Sequence, residues 1–201
     1  MTLGIVLAAG RGRRAGGPKA LLELGGTTAL QLCLRALAGG GADELRVVLG
    51  PDAEAVRAAV PLAGAEVLVN EHAERGQTSS LQLALSRGTG RGVCFLLHPV
   101  DHPLARAEDV AALLAAFAGR RPHERLVLPA VGGRRGHPAL FARELAPEFL
   151  ALGADEPAHA VARRDPARVL LVPRENPWLV RDIDTPEDLR AAREALAEAD
   201  Q

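Results

Sequence analysis

The chain has 201 residues, enough to bury a core that stands without disulfides, and 48% of them are hydrophobic. Aromatic residues make up only 2%, with one Trp and no Tyr, so that core is aliphatic and built mainly from Ala and Leu. Lys and Arg total 24 against 25 Asp and Glu, a formal net charge of -1, which excludes a broad basic field for nucleic acid and leaves any anion to be bound locally.

Residues Met1 to Ala9 are apolar but too short to span a membrane, and they lack the positive leader and cleavage pattern of a secretory signal. They read as the first strand of a cytoplasmic protein. Leu3 to Ala8 is an unbroken apolar run of the kind buried on both faces of a parallel sheet, and similar runs recur at Leu45 to Leu49, Val67 to Val69, Val93 to Leu97, Leu126 to Leu128 and Val169 to Val172. Helical patterns lie between them. Leu30, Leu34 and Leu37 share one face behind the caps Thr27 and Thr28, Val56 pairs with Val60, Leu81 with Leu85, and Val110, Leu113, Leu114 and Phe117 form a further stripe. Cys33 falls in a helix and Cys94 in a strand with no metal-type spacing, which suits buried free thiols in a reducing compartment.

This alternation predicts a doubly wound α/β fold with a mostly parallel, Rossmann-like sheet, in a single domain over residues 1–201. Gly132-Gly133 is a turn signal between Leu126 to Val131 and Pro138 to Phe141, predicting a small hairpin insertion in the second half. Thr185-Pro186-Glu187-Asp188 predicts a helix start with Thr as N-cap and Pro at the first helical position. Ligands of such sheets sit beyond the carboxyl ends of the strands, so the chemistry belongs to the βα loops.

The first of those loops reads Leu7-Ala8-Ala9-Gly10-Arg11-Gly12-Arg13-Arg14-Ala15-Gly16-Gly17-Pro18-Lys19. Glycines let backbone N–H groups approach a polyphosphate, and Arg and Lys neutralise its charge. It is not a P-loop, because Lys19 is followed by Ala20 where a Ser or Thr would hold Mg²⁺. Gly10, Gly12 and Ala15 do satisfy the dinucleotide fingerprint G-x-G-x-x-G/A, so a nicotinamide oxidoreductase is a rival reading. Against it, Gly16-Gly17-Pro18 keeps the chain irregular where a helix should open, and the second strand ends in Gly50-Pro51 rather than an acidic residue.

Two acidic segments follow. Leu96-Leu97-His98-Pro99-Val100-Asp101-His102-Pro103 places Asp101 at the carboxyl end of a buried strand. Val180-Arg181-Asp182-Ile183-Asp184-Thr185 offers a second carboxylate, with Asp182 and Asp184 on one face of a strand and Asp184 nearer its end. Mg²⁺ takes one or two carboxylates plus phosphate oxygens and water, so Asp101 and Asp184 suffice, with Asp182 the alternative to Asp184. A zinc site at His98, Asp101 and His102 would need a helix that Pro99 and Pro103 forbid.

Leu-Ala-Ala-Gly-x-Gly-x-Arg, then Gly and Pro-Lys, resembles the signature of the MobA-like nucleotidyltransferases, and among them the cytidine-using molybdenum cofactor branch. The resemblance implies that the loop wraps a nucleoside triphosphate, CTP favoured, through Leu7, Ala8, Ala9, Gly10 and Gly12, with Arg14 and Lys19 on the phosphates. It implies Mg²⁺ on Asp101 and Asp184, and brings Asn70, Gly76 and Ser80 of the Asn70 to Ser80 segment to the nucleotide. The Gly133-Arg134-Arg135-Gly136-His137-Pro138 stretch is similar to the family's acceptor segment, which assigns Arg135, Gly136 and His137 to a phosphorylated acceptor: molybdopterin, or a sugar or polyol phosphate. Leu152 to Ala160 departs from the branch's Gly-Asp-x-Gly-Ala-Arg pattern, and His102 stands where Gln is usual. The implied protein is a Mg-dependent nucleotidyltransferase, monomer or homodimer, with no nucleic-acid or membrane partner. A non-catalytic nucleotide-binding module is the remaining alternative.

Overall fold

The computed structural model describes residues 1–10, 17–62, 64–89, 92–153 and 156–199. In chain order the strands and helices are β1 (Thr2–Ala8), a two-stranded ribbon β2 (Glu23–Leu24) and β3 (Thr27–Thr28), α1 (Ala29–Gly39), β4 (Glu44–Leu49), α2 (Ala53–Ala59), β5 (Glu66–Val69), α3 (Gln77–Ser86) and β6 (Cys94–Pro99). There follow α4 (Ala107–Gly119), β7 (Leu126–Val131), β8 (Arg134–Arg135), β9 (Ala139–Ala142), α5 (Ala146–Leu150), α6 (Ala160–Arg164), β10 (Val169–Pro173) and α7 (Pro186–Ala199).

Seven of the strands form one sheet in the order β10-β7-β9-β6-β1-β4-β5, with β8 attached to β7. Every pairing on that path is parallel except the two made by β9, which lies antiparallel between β6 and β7. The chain runs from β1 outward through β4 and β5, then crosses back to β6 on the other side of β1. That reversal opens a crevice at the carboxyl ends of β1 and β6, where Leu7 and Pro99 are in register.

Alternation along the strands supplies two cores. Val6 and Ala8 of β1 join Leu30, Leu34 and Leu37 of α1 and Val110, Leu113 and Phe117 of α4 on one face. Leu3, Ile5 and Leu7 join Leu81 and Leu85 of α3 and Phe149 of α5 on the other. α1 starts on a capping box in which the Thr28 hydroxyl accepts from Gln31 N–H and the Gln31 side chain accepts from Thr28 N–H. Cys33 and Cys94 are buried free thiols. Among the described residues no helix is long and apolar enough to cross a membrane.

The second-half hairpin is more than a peripheral insertion. Gly132 and Gly133, with φ of 55° and 80°, turn β7 into the short β8, and the chain then enters the sheet as β9. Residues 181–184, expected as strand, run between elements instead: Ile183 donates its N–H to the Asp101 carbonyl at 2.9 Å, outside any ladder. The helix after Thr185 forms as expected, with the Thr185 hydroxyl accepting from Asp188 N–H and Asp188 accepting from Thr185.

Candidate active site

Three loops meet in the crevice. The Lys19 ammonium donates to Asp101 Oδ2 at 3.2 Å and, in a shorter contact, to Asp184 Oδ1. Asp101 arrives just beyond β6 because Val100 donates its N–H to the Leu7 carbonyl, extending the β1–β6 register by one step. Asp184 arrives on a strap, residues 174–185, that is tied down along its length. Arg174 donates to the Ala130 carbonyl and to Asp109, and the Asn176 amide donates to Asp109 Oδ2 and the Leu104 carbonyl. Leu179 accepts from His137 N–H, and Ile183, fully buried, donates to Asp101. The strap thus brings Asp184 to the ammonium of Lys19, 165 positions away in the chain.

Burial by itself would depress the Lys19 ammonium, but Asp101 and Asp184 outweigh it and hold the group above its ordinary value. Lys19 is therefore charged at neutral pH, and two carboxylates face one cation. The other oxygen of Asp101 is buried with no hydrogen-bond partner among the described residues. A pair of converging carboxylates with a spare oxygen fits a hard divalent cation that completes its shell with phosphate oxygens and water. Among the described residues no group of three metal-ligating side chains forms, so a closed all-protein cage and the zinc arrangement are both absent there.

Beside this centre lies a cleft of about 220 Å³ lined by Leu7, Ala9, Gly10, Lys19, Gly76, Ser80 and Asp101 among others. A β-carbon added at Gly10 or Gly76 would meet no atom of the described residues within 4 Å. Ala8 is buried in the strand behind. Gly12 and Arg14 lie outside the described residues, as do Arg11 and Arg13. Asn70 does not face the cleft wall directly; its buried amide donates to the Ser79 and Ser80 hydroxyls and its oxygen accepts from His72 N–H, holding the start of α3. Asp182 is exposed and makes no part of the carboxylate pair.

Arg135, Gly136 and His137 line a second cavity of about 340 Å³, which reaches the first at Gln77. The His102 and His137 rings pack 4.9 Å apart, so His102 joins the acceptor-side residues to the Asp101 loop. Burial, reinforced by His102, lowers the His137 pKa to about 4, leaving a neutral ring at pH 7. Sequence reasoning did not single out Gln77, Ile183 or the Asp109, Arg174 and Asn176 network. Asn176-Pro177 is a turn signal that marks the strap's start, but nothing local says which buried carboxylate it ties to.

Comparison with known proteins gives the family and the fold. The MobA-like NTP transferase domain matches residues 4–169. Nicotine blue oxidoreductase of Paenarthrobacter nicotinovorans is 34% identical over 190 residues, covering 92% of this chain and 87% of that protein. The crystal structure of Rv0371c from Mycobacterium tuberculosis superposes with a TM-score of 0.84 at 32% identity, covering 96% of this chain and 97% of that one. A structure of the same protein in complex with manganese, at 31% identity and TM-score 0.79, covers 96% and 98% and shows a divalent ion bound in a relative. On family match and fold together, the chain belongs to the MobA-like NTP transferase family.

Proposed function

We propose that the protein transfers a nucleoside monophosphate, CMP from CTP favoured, to a phosphorylated acceptor and releases pyrophosphate. Molybdopterin is the first acceptor candidate, and a sugar or polyol phosphate the second. The observation that carries the reading is the convergence of Asp101 and Asp184, from separate loops, on the Lys19 ammonium beside a cleft lined by Lys19, Asp101 and the backbones of Gly10 and Gly76. A cytoplasmic, single-domain enzyme acting on small molecules, as monomer or homodimer, is the setting this implies.

The acceptor phosphate, largely dianionic at pH 7, attacks the α-phosphorus and pyrophosphate leaves with the bonding pair, so no general base is required. That accounts for a site in which the described residues form no nucleophile-and-base pair. The reaction needs charge neutralisation and alignment instead. Mg²⁺, held by Asp101 and Asp184, would supply neutralisation at the phosphates and fix their orientation. The Lys19 ammonium, kept charged by its carboxylate neighbours, lies within the same cleft to bind the leaving phosphates, and Arg14 is assigned to them by its place in the loop motif. Gly10 and Gly76 offer close backbone approach, and Asn70 positions Ser80.

The test is a matrix of the four ribonucleoside triphosphates against phosphorylated acceptors, molybdopterin included, scored by pyrophosphate release. Asp101→Ala and Lys19→Ala, checked for folding by circular dichroism, are expected to lose turnover by about a hundred- to a thousandfold, the cost of one preorganised charge contact. Near-normal turnover in both variants sinks the mechanism.

A second reading rests on one observation, the similarity to a protein named as an oxidoreductase. A nicotinamide cofactor would want an acidic residue at the end of the second parallel strand for its ribose. Here β4 ends at Leu49 and is followed by Gly50, where a β-carbon would collide with the Ala9 carbonyl, so the two loops pack backbone to backbone. Oxidation of NADH or NADPH with an electron acceptor, and no pyrophosphate release across the matrix, would favour this reading over nucleotidyl transfer.

A further inference from the structure

The cavity beyond Gln77 differs in chemistry from the nucleotide cleft. Its floor is Leu97 of β6, Ala139 and Phe141 of β9 and Leu128 of β7, side chains from three adjacent strands on one face of the sheet. Its opposite wall is α6 with the turn before it, which follows directly on the Leu152 to Ala160 stretch where the chain departs from the family's pattern. Thr78 holds that wall against α3 by donating to the Glu156 carbonyl at 2.8 Å, and Glu156 in turn accepts from Gly153 N–H. The wall is anchored independently of any ligand.

Charge on the rim is uneven. Arg164 is paired with Glu148 and Glu156, and Arg168 with Glu148 and Asp165. Arg163 and Arg135 line the cavity from its two sides, and neither guanidinium has a side-chain hydrogen bond or ion pair among the described residues. A guanidinium is a planar fork suited to a phosphate or carboxylate. Such a floor offers hydroxyl groups no partner, and each hydroxyl desolvated there would go unpaired.

We propose that this cavity binds an acceptor made of an apolar, ring-sized body and an anionic group, with Leu97, Leu128 and Phe141 taking the body and Arg163 with Arg135 taking the charge. The proposal rests on the nucleotidyl-transfer reading for calling the ligand an acceptor, and on the cavity alone for its chemistry. Arg163 is then a specificity-determining residue supplied by α6, and polyol phosphates are the poorer ligands. Gln77 lines both cavities, so a ligand held here lies next to the nucleotide cleft.

Calorimetric titration with 1-naphthyl phosphate and with glycerol 3-phosphate, probes of like charge and opposite body, tests this. The naphthyl ester is expected to bind at least about tenfold tighter, because it buries a ring where the glycerol ester strands hydroxyls. Arg163→Ala, an exposed change, is expected to weaken it about tenfold while leaving CTP binding unaltered. Ala162→Phe, which fills the cavity from α6, is expected to abolish it, and Lys19→Ala to leave it intact. Equal affinity for the two esters, no binding of the naphthyl ester, or indifference to both Arg163→Ala and Ala162→Phe overturns the proposal. Naphthyl phosphate binding that follows these variants in a protein that releases no pyrophosphate with any acceptor would instead overturn nucleotidyl transfer and leave the cavity's chemistry standing.

Discussion

His98 is fully buried, and neither ring nitrogen has a hydrogen-bond partner among the described residues. Burial first, then the neighbouring His137 and His102, push its pKa well below the ordinary value. His137 is lowered to about 4 by burial and His102, with Asp101 and a backbone carbonyl opposing. The unfolded chain binds these protons near pH 6.5 and the folded chain does not, so the unfolded state holds more protons below that pH and stability falls as the solution is acidified. Between pH 7 and pH 5 the loss from His137 is on the order of 1–2 kcal/mol, and His98 adds to it with the same sign. Urea unfolding at the two pH values measures it. His98→Leu, which removes a ring that makes no bonds, should keep stability at pH 7 within about 1 kcal/mol and make the decline shallower. An unchanged pH slope in that variant would show that His98 takes up its proton in the folded state.

Among the elements, the strap before α7 decides whether Asp184 reaches Asp101, and its least tolerant contact is with Gly136. A β-carbon there would run into the Leu179 carbonyl oxygen and come within 2.7 Å of its carbon, and both atoms are backbone held by His137 and Asn176. Gly136→Ala should therefore cost about 1–3 kcal/mol by denaturant unfolding and lower pyrophosphate release beyond what the unfolded fraction explains. A variant with wild-type turnover would mean that the strap does not position Asp184. The sequence shows why some of this was readable and some was not. Buried parallel strands declare themselves as apolar runs, so β1, β4, β6, β7 and β10 were visible within a residue or two. α5 and α6, five residues each, are too short for a helical period to register. Asp182 and Asp184 looked like alternating strand positions, yet Ile183 between them bonds to a loop carbonyl 82 residues earlier, so only tertiary contact separates the exposed carboxylate from the one in the site.

For the whole molecule, the order of strands was the hidden quantity. Nothing local in Ala139 to Ala142 says that this short run enters the sheet between β6 and β7 against the direction of both, because pairing partners are set by which edges remain open when the helices have packed. The site is equally non-local: Lys19 comes from the first crossover, Asp101 from the middle of the sheet and Asp184 from the start of the last helix. A ligand that bridges these groups holds three distant parts of the chain in the folded state only, and so must raise the unfolding temperature. At CTP and Mg²⁺ concentrations near a hundredfold the dissociation constant, linkage gives about 2.7 kcal/mol, which for a chain of this size is roughly 5–10 °C in Tm. Differential scanning calorimetry with CTP and Mg²⁺, then with CTP and EDTA, should show that rise only when the cation is present. Asp101→Ala and Asp184→Ala, each compared with its own ligand-free baseline, should lose most of it, whereas Asp182→Ala should keep it. If the rise persists in EDTA, or survives in both site variants, the carboxylate pair does not hold the cation and the Lys19 contacts are an ion pair of the folded chain alone.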